Sequence, residues 1–396
     1  MRRNYPINIV IGGLFALVIV MGIGRFAYTP ILPFMLEAKN FSEKAAGYVA
    51  SANYFGYLLG ALLAGTVKWR KGRKFHLTIN LLLNVITTLA MGLTEHHVVW
   101  FMLRFISGFS SGLVFVFASS IVMDYLAYYK RLTWSGLFYG GVGIGILLSG
   151  LFVPILNHYY SWQGSWIGLG LLAGVFTIFT LMLVKDSPPS KNSEITLTEE
   201  NVANHHVIVL PWLIASYGCE GIGYIISGTF LVTLVQNIPG LNHIPSLSWV
   251  FVGIAAAPSC ILWSLAAKRW GHLPTLQLAF ALQTVGVILP VFLFNIYGAL
   301  MGAFLFGATF MGITTLFVAE VRNITPSESS KVISYLTFFY GIGQMIGPAI
   351  GGMFITKSGG YGSALVFASS VLLVGMVFLS VAQFKEKKLK KLQIIK

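Results

Sequence analysis

The stretch Ile7–Pro30, INIVIGGLFALVIVMGIGRFAYTP, runs for 24 residues with one charge, Arg25. An apolar run of that length spans a bilayer core, which takes about 20 helical residues. Arg2-Arg3 ahead of it resemble the start of a secretory leader, but the run is longer than a leader core and no small-residue cleavage site interrupts it. Outward from it, runs of spanning length recur. The first extends over 7–33, followed by 45–67, 75–94, 98–123, 134–156 and 162–184. A second set covers 207–236, 248–267, 275–294, 298–321, 332–356 and 363–384. The fold class expected is therefore an all-α integral membrane protein with 12 transmembrane helices, referred to below as crossings.

Composition agrees. The chain has 396 residues, 56% of them apolar and only 10% charged, with a mean hydropathy of +0.79. A soluble protein of this size needs about a quarter of its residues charged to coat its surface. The formal charge of +14 would suit a nucleic-acid binder only if the basic residues shared a face of a soluble domain. They lie between the apolar runs instead, so no nucleic-acid partner is expected. Cys219 and Cys260 are the only cysteines, and the eight histidines fall at helix ends or in loops, so neither a disulfide framework nor a metal site is expected. No Gly-Lys dipeptide occurs, which excludes a Walker A loop, and no cofactor is expected.

Basic residues collect in cytoplasmic loops. Counted on alternate sides of the expected crossings, 21 Lys and Arg fall on one side and three, Lys39, Lys44 and Lys357, on the other. Both termini then lie on the 21-residue side, and the expected location is the cell inner membrane with cytoplasmic termini. Lys185 to His206, with Asp186-Ser-Pro-Pro and Glu199-Glu200, reads as a cytoplasmic linker. It separates an N-terminal six-helix bundle, residues 1–184, from a C-terminal one, residues 207–396, that ends in a basic tail suited to anionic lipid.

The two bundles repeat each other. Gly22-Ile-Gly24 recurs as Gly221-Ile-Gly223, Arg70-Lys-Gly72 as Arg269-Trp-Gly271, and Phe138-Tyr-Gly140 as Phe339-Tyr-Gly341, at offsets of 199, 199 and 201. Gly65-Thr-Val-Lys-Trp69-Arg70-Lys-Gly72-Arg73-Lys74, between the second and third crossings, resembles the G-x-x-x-D-R-x-G-R-K signature of the major facilitator superfamily, with Trp69 in the place of aspartate. Arg104-Phe-Ile-Ser-Gly108 resembles that family's fourth-helix R-x-x-x-G motif. Gly343 to Gly352 fits its G-x-x-x-G-P-x-x-G-G antiporter motif, but in the eleventh crossing rather than the fifth. Gly22 to Pro30 and Gly223 to Phe230 are similar to the bacterial YbfB/YjiJ branch. The resemblance implies two pseudo-symmetric bundles with a substrate site between them, but it brings no substrate. Gly108-Phe-Ser-Ser-Gly112 and Gly22-Ile-Gly24-Arg-Phe-Ala27 match nucleophile-elbow and dinucleotide patterns only in letters. Inside spanning helices their small residues let backbones approach.

An ionisable residue inside the membrane is costly unless it faces a cavity or a partner. Arg25, Arg104 and Glu220 are the three that fall clearly within crossings. They read either as a helix-locking ion pair or as solute and proton groups. Polar stripes accompany them: Arg25 with Tyr28, Asn53 with Tyr57, Tyr217 and Glu220 with Tyr224, and Tyr340 with Gln344. The candidate substrate-binding set is Arg25, Tyr28, Asn53, Tyr57, Arg104, Tyr139, Tyr224, Tyr340 and Gln344. Glu220 is the candidate proton-coupling carboxyl, expected to meet Arg25 across the bundles in one state. Arg70, Gly72, Arg73, Asp124, Arg269 and Glu320 are the candidate cytoplasmic gate. The function expected is secondary active transport of a small organic solute, anionic or aromatic, by a monomer, coupled to H⁺ and not enzymatic. An uncoupled facilitator and a non-transporting membrane receptor are the alternatives.

Overall fold

The structure, a computed structural model, describes residues 5–39, 41–67, 69, 71–185, 203–325, 329–358 and 360–394. Among these residues there is no strand. Ten helices are long and apolar enough to cross a membrane. The count falls short of twelve for two physical reasons. Crossing two, Glu43–Thr66, begins with charges and carries Ser51 and Asn53 in its buried face, so its apolar density is low. Crossings five and six form one run, Ser135–Leu183, turned back on itself at Ser161, whose φ of 60° is the left-handed conformation that breaks a helix. The expected loop after residue 156 is therefore nearly all helical.

Crossing three is Arg73–Met91, four His97–Tyr128, seven Ala203–Val235, eight Leu247–Trp270 and nine His272–Phe292. Crossing ten is Ile296–Ile324, eleven Ser329–Ser358 and twelve Gly362–Ile394. Seven thus begins inside the segment expected as linker, and twelve runs ten residues past its expected end. The Lys385 ammonium lies 5.1 Å from the ring centre of Trp212, tying the start of that basic extension to crossing seven.

Within each half the helices pack through small residues. In the first half, crossings two and four interlock where Gly108 meets the Asn53 carbonyl and Gly112 the Tyr57 carbonyl, which is the packing role expected for that glycine pair. The halves meet along crossings two with eleven, five with eight, and the second part of one with seven. This seam is made of backbone. Gly47 abuts the Pro348 carbonyl and Gly352 the Glu43 carbonyl, while Gly143 and Gly253 abut the backbones of Ala257 and Leu147. A Cβ at any of these four would overlap main chain, so the close approach requires glycine.

Candidate functional site

Crossing one is the exception to the regular helices. It starts as Tyr5–Leu17, widens to a π-helix over Val18–Ile23, unwinds through 24–27 and resumes as Tyr28–Lys39. The widened turn shows in the bonds Gly24 N–H to the Ile19 carbonyl at 2.7 Å and Phe26 N–H to the Met21 carbonyl at 3.0 Å, each spanning five residues. Unwound backbone inside a membrane needs other partners. Arg104 supplies them: Nη1 donates to the Gly24 carbonyl at 2.6 Å and Nη2 to the Arg25 carbonyl at 2.8 Å. Ser107 Oγ also donates to the Gly24 carbonyl, at 3.2 Å, and Ser111 Oγ to that of Val20, at 3.0 Å. Gly24 leaves no room for a Cβ against the Asn84 amide, which donates to the Ser107, Ser110 and Ser111 hydroxyls at 3.3, 3.1 and 2.9 Å.

Two expectations change. Arg104, 1% exposed and expected as a substrate ligand, spends both terminal nitrogens on main-chain carbonyls. Tyr28, expected on the same helix face as Arg25, is separated from it by the unwound turn. Its hydroxyl donates to the Ala46 carbonyl at 3.1 Å, with its ring near Arg104 and Trp166.

Arg25 points to the other half. Its guanidinium, 2% exposed, donates through Nη2 to Gln344 Oε1 at 2.5 Å and to the Tyr224 hydroxyl at 3.5 Å. Nη1 reaches only the Met21 sulfur, at 3.9 Å, and Nε has no partner. Tyr57, Tyr54 and Phe26 surround the cation, with ring centres 4.4, 4.7 and 5.2 Å away. Gln344 Nε2 donates onward to the Tyr224 hydroxyl at 2.5 Å. From Tyr224 a row of nearly parallel rings runs through the second half. Tyr340 lies 5.6 Å away at 2°, Phe310 5.8 Å away at 6°, and Tyr217 stacks on Tyr340 at 4.1 Å. Of the first-half candidates, Asn53 donates to the Arg104 carbonyl at 2.9 Å and keeps Oδ1 free of partners. Half-buried Tyr139 stands one ring farther off, against Phe115, which meets Tyr57. The structure thus brings Arg25, Tyr57, Tyr224, Tyr340 and Gln344 together.

Glu220 is fully buried in crossing seven. Its Oε1 accepts from Gln283 Nε2 at 2.8 Å, and Oε2 has no partner. The pairing with Arg25 expected from depth is not made here, since each residue is held within a separate hydrogen-bond set. Gln283 was absent from the expected site. A signal for it exists, because it stands 199 residues after Asn84, the same offset as the Gly-Ile-Gly repeat.

At the end carrying the basic loops, Arg73 Nη1 pairs with Asp124 at 2.7 Å and also contacts Ser120. Gly72, extended at φ −59° and ψ 156°, caps crossing three. Glu320 faces His272 at 3.6 Å, and Arg269 is exposed. Arg70 lies outside the described residues. Trp69, in the place of an expected carboxylate, packs its ring 4.5 Å from His76 and 5.5 Å from Phe117.

Comparison with known proteins agrees with this architecture. Residues 17–380 match the family described as uncharacterised MFS-type transporter YbfB. The Bacillus subtilis MFS-type transporter YfhI is 22% identical over 98% of this chain and 97% of its own length. A benzoate transport protein of Acinetobacter baylyi is 24% identical over 44% of this chain and 38% of that protein. A crystal structure of the nucleoside transporter NupG superposes with a TM-score of 0.74 at 15% identity, covering 97% of this chain and 99% of that one, which shows a shared fold. The chain belongs to the YbfB-type family of the major facilitator superfamily, and it is a multi-pass membrane protein that transports a solute.

Proposed function

We propose that the protein is a secondary transporter of a small organic anion, coupled to H⁺, that works by rocking residues 1–184 against residues 207–396 around a site at Arg25. The observation that carries this reading is the state of Arg25: buried, cationic at any physiological pH, and held across the halves by a neutral amide rather than a carboxylate. A buried charge without a counter-ion is costly. A solute anion would relieve that cost, and its differential binding to the two states would drive the cycle. The partial likeness to a benzoate transport protein points the same way.

Glu220 is the proton site in this reading, because it is a carboxyl at mid-crossing with one oxygen unpartnered. The contacts Thr29 with Gly228, Glu37 with Gln236, and Trp249 Nε1 with Ser149 Oγ at 3.2 Å close the end opposite the basic loops. The 21-to-3 division of basic residues supports basic loops and termini in the cytoplasm, for a protein of the inner membrane acting as a monomer.

The test is a binding panel of organic anions and their neutral analogues on purified wild-type, Arg25→Lys and Arg25→Ala proteins. Anions should bind wild type, bind Arg25→Lys more weakly and fail to bind Arg25→Ala. Undiminished binding and uptake by Arg25→Ala would remove the proposal. Orientation is read separately in intact cells. A cysteine at Asn242 should react with an impermeant thiol reagent, and one at Ser193, which lies outside the described residues, should not.

A further inference from the structure

The surroundings of Arg25 restrict what kind of anion it can hold. We infer that the ligand is an aromatic monocarboxylate, its carboxylate taking the place of the Gln344 amide oxygen on the guanidinium and its ring lying against the tyrosines around Arg25. The inference rests on the reading of Arg25 as the counter-charge of the solute.

Charge comes first. Arg104, the other arginine buried in this region, is committed to the Gly24 and Arg25 carbonyls, which leaves one guanidinium to offer. A dianion would bury a second negative charge without a partner, so a single carboxylate fits. The present occupant shows the place. Gln344 Oε1 is a neutral carbonyl oxygen 2.5 Å from Nη2, and a carboxylate oxygen there adds the attraction of an opposite charge to a bond whose donor is already a cation. The second carboxylate oxygen has a donor waiting, because Arg25 Nε is buried without any partner and lies on the edge of the same planar fork.

The body of the ligand is set by the walls. Tyr54, Tyr57 and Phe26 face the cation from the first half, and Tyr224 and Tyr340 stand beside it from the second, within 2° of parallel. Flat rings favour a flat aromatic partner, with geometry worth something beyond buried area.

Displacement also has a conformational consequence. Gln344 belongs to crossing eleven, and its bond to Arg25 is one of the polar links between the halves. A carboxylate that replaces it cuts that link and frees Gln344 to remain on Tyr224.

Four probes test this on the full-length protein in detergent, with binding read by calorimetry: benzoate, cyclohexanecarboxylate, benzamide and terephthalate. Benzoate should bind at least tenfold tighter than each of the others. Equal affinity for cyclohexanecarboxylate or terephthalate overturns the aromatic monocarboxylate and leaves the organic anion standing. Equal affinity for benzamide overturns both readings, and so does binding of none of the four together with transport of a neutral solute. Binding of none with transport of some other anion overturns this inference alone. Gln344→Glu places a permanent carboxylate on Arg25, so benzoate should bind at least tenfold more weakly while the protein elutes as a single species and melts no lower than wild type. Gln344→Leu removes the competitor and should bind benzoate at least as tightly as wild type. Wild-type affinity in Gln344→Glu, or a tenfold loss in Gln344→Leu, overturns the displacement.

Discussion

Crossings one and seven carry the same Gly-Ile-Gly tripeptide at the same depth, yet one unwinds after it and the other continues as helix from Ala203 to Val235. The difference lies in the neighbours. In the first half Arg104, Ser107 and Ser111 aim donors at the carbonyls of Val20, Gly24 and Arg25. The residues 199 positions later are Ala303, Phe306 and Phe310, which have no donor to give. Opened backbone in crossing seven would therefore stay unsatisfied, and the helix closes instead. What the second half offers is the aromatic row. The repeat has been divided into a polar half that breaks a helix to aim a charge and an aromatic half that receives it.

Symmetry still shows where the halves touch. Arg25 bonds Tyr224, Thr29 bonds Gly228 and Glu37 bonds Gln236, and each pair is separated by the repeat offset of 199. These are repeat mates meeting across the pseudo-two-fold axis.

The largest expected effect follows from removing the donors that crossing seven never had. Arg104→Leu strands the buried Arg25 carbonyl and leaves that of Gly24 to Ser107 alone, which should lower stability by about 3 kcal/mol and abolish transport. A melting temperature equal to wild type would mean that crossing one does not depend on Arg104. The mates Asn84 and Gln283 sharpen the comparison. Asn84→Ala deletes bonds to several hydroxyls and should cost about 2 kcal/mol. Gln283→Ala deletes one bond and should cost less, so an equal loss in both would contradict the division of roles.

Glu220→Gln keeps the shape of the carboxyl and removes its proton exchange. Uptake driven by a pH gradient in proteoliposomes should fall at least tenfold, while exchange of solute at equal pH survives. Gradient-driven uptake at the wild-type rate would end the coupling role. The smallest effect is at the axis itself. Thr29→Val removes one hydrogen bond between mates, worth about 1 kcal/mol, and should raise the labelling rate of a cysteine placed at the base of that closure about fivefold. An unchanged rate would mean that the other contacts at this end hold it shut without Thr29.

The twelve crossings and their repeat were legible in the sequence, because hydropathy and helical spacing are local properties; the partner expected for Arg25 was Glu220, whereas its hydrogen bonds across the halves go to Tyr224 and Gln344. The break in crossing one was not legible. Identical tripeptides give no local reason to treat residues 22–24 differently from 221–223, and what unwinds the chain lies some 80 residues away at Arg104. For the same reason Tyr28 was placed beside Arg25, since a spacing rule assumes an unbroken helix. Gln283 escaped notice as a neutral side chain, although its repeat position marked it.

The glycine seam between the halves has a consequence for how such a chain can diverge. Residues facing lipid need only stay apolar, and the Bacillus subtilis YfhI transporter shares just 22% of positions over nearly the full chain. At Gly47, Gly143, Gly253 and Gly352 the opposing surface is main chain, which no compensating substitution can trim. Random mutagenesis with selection for activity should therefore recover changes across the lipid face freely and almost none at these four positions.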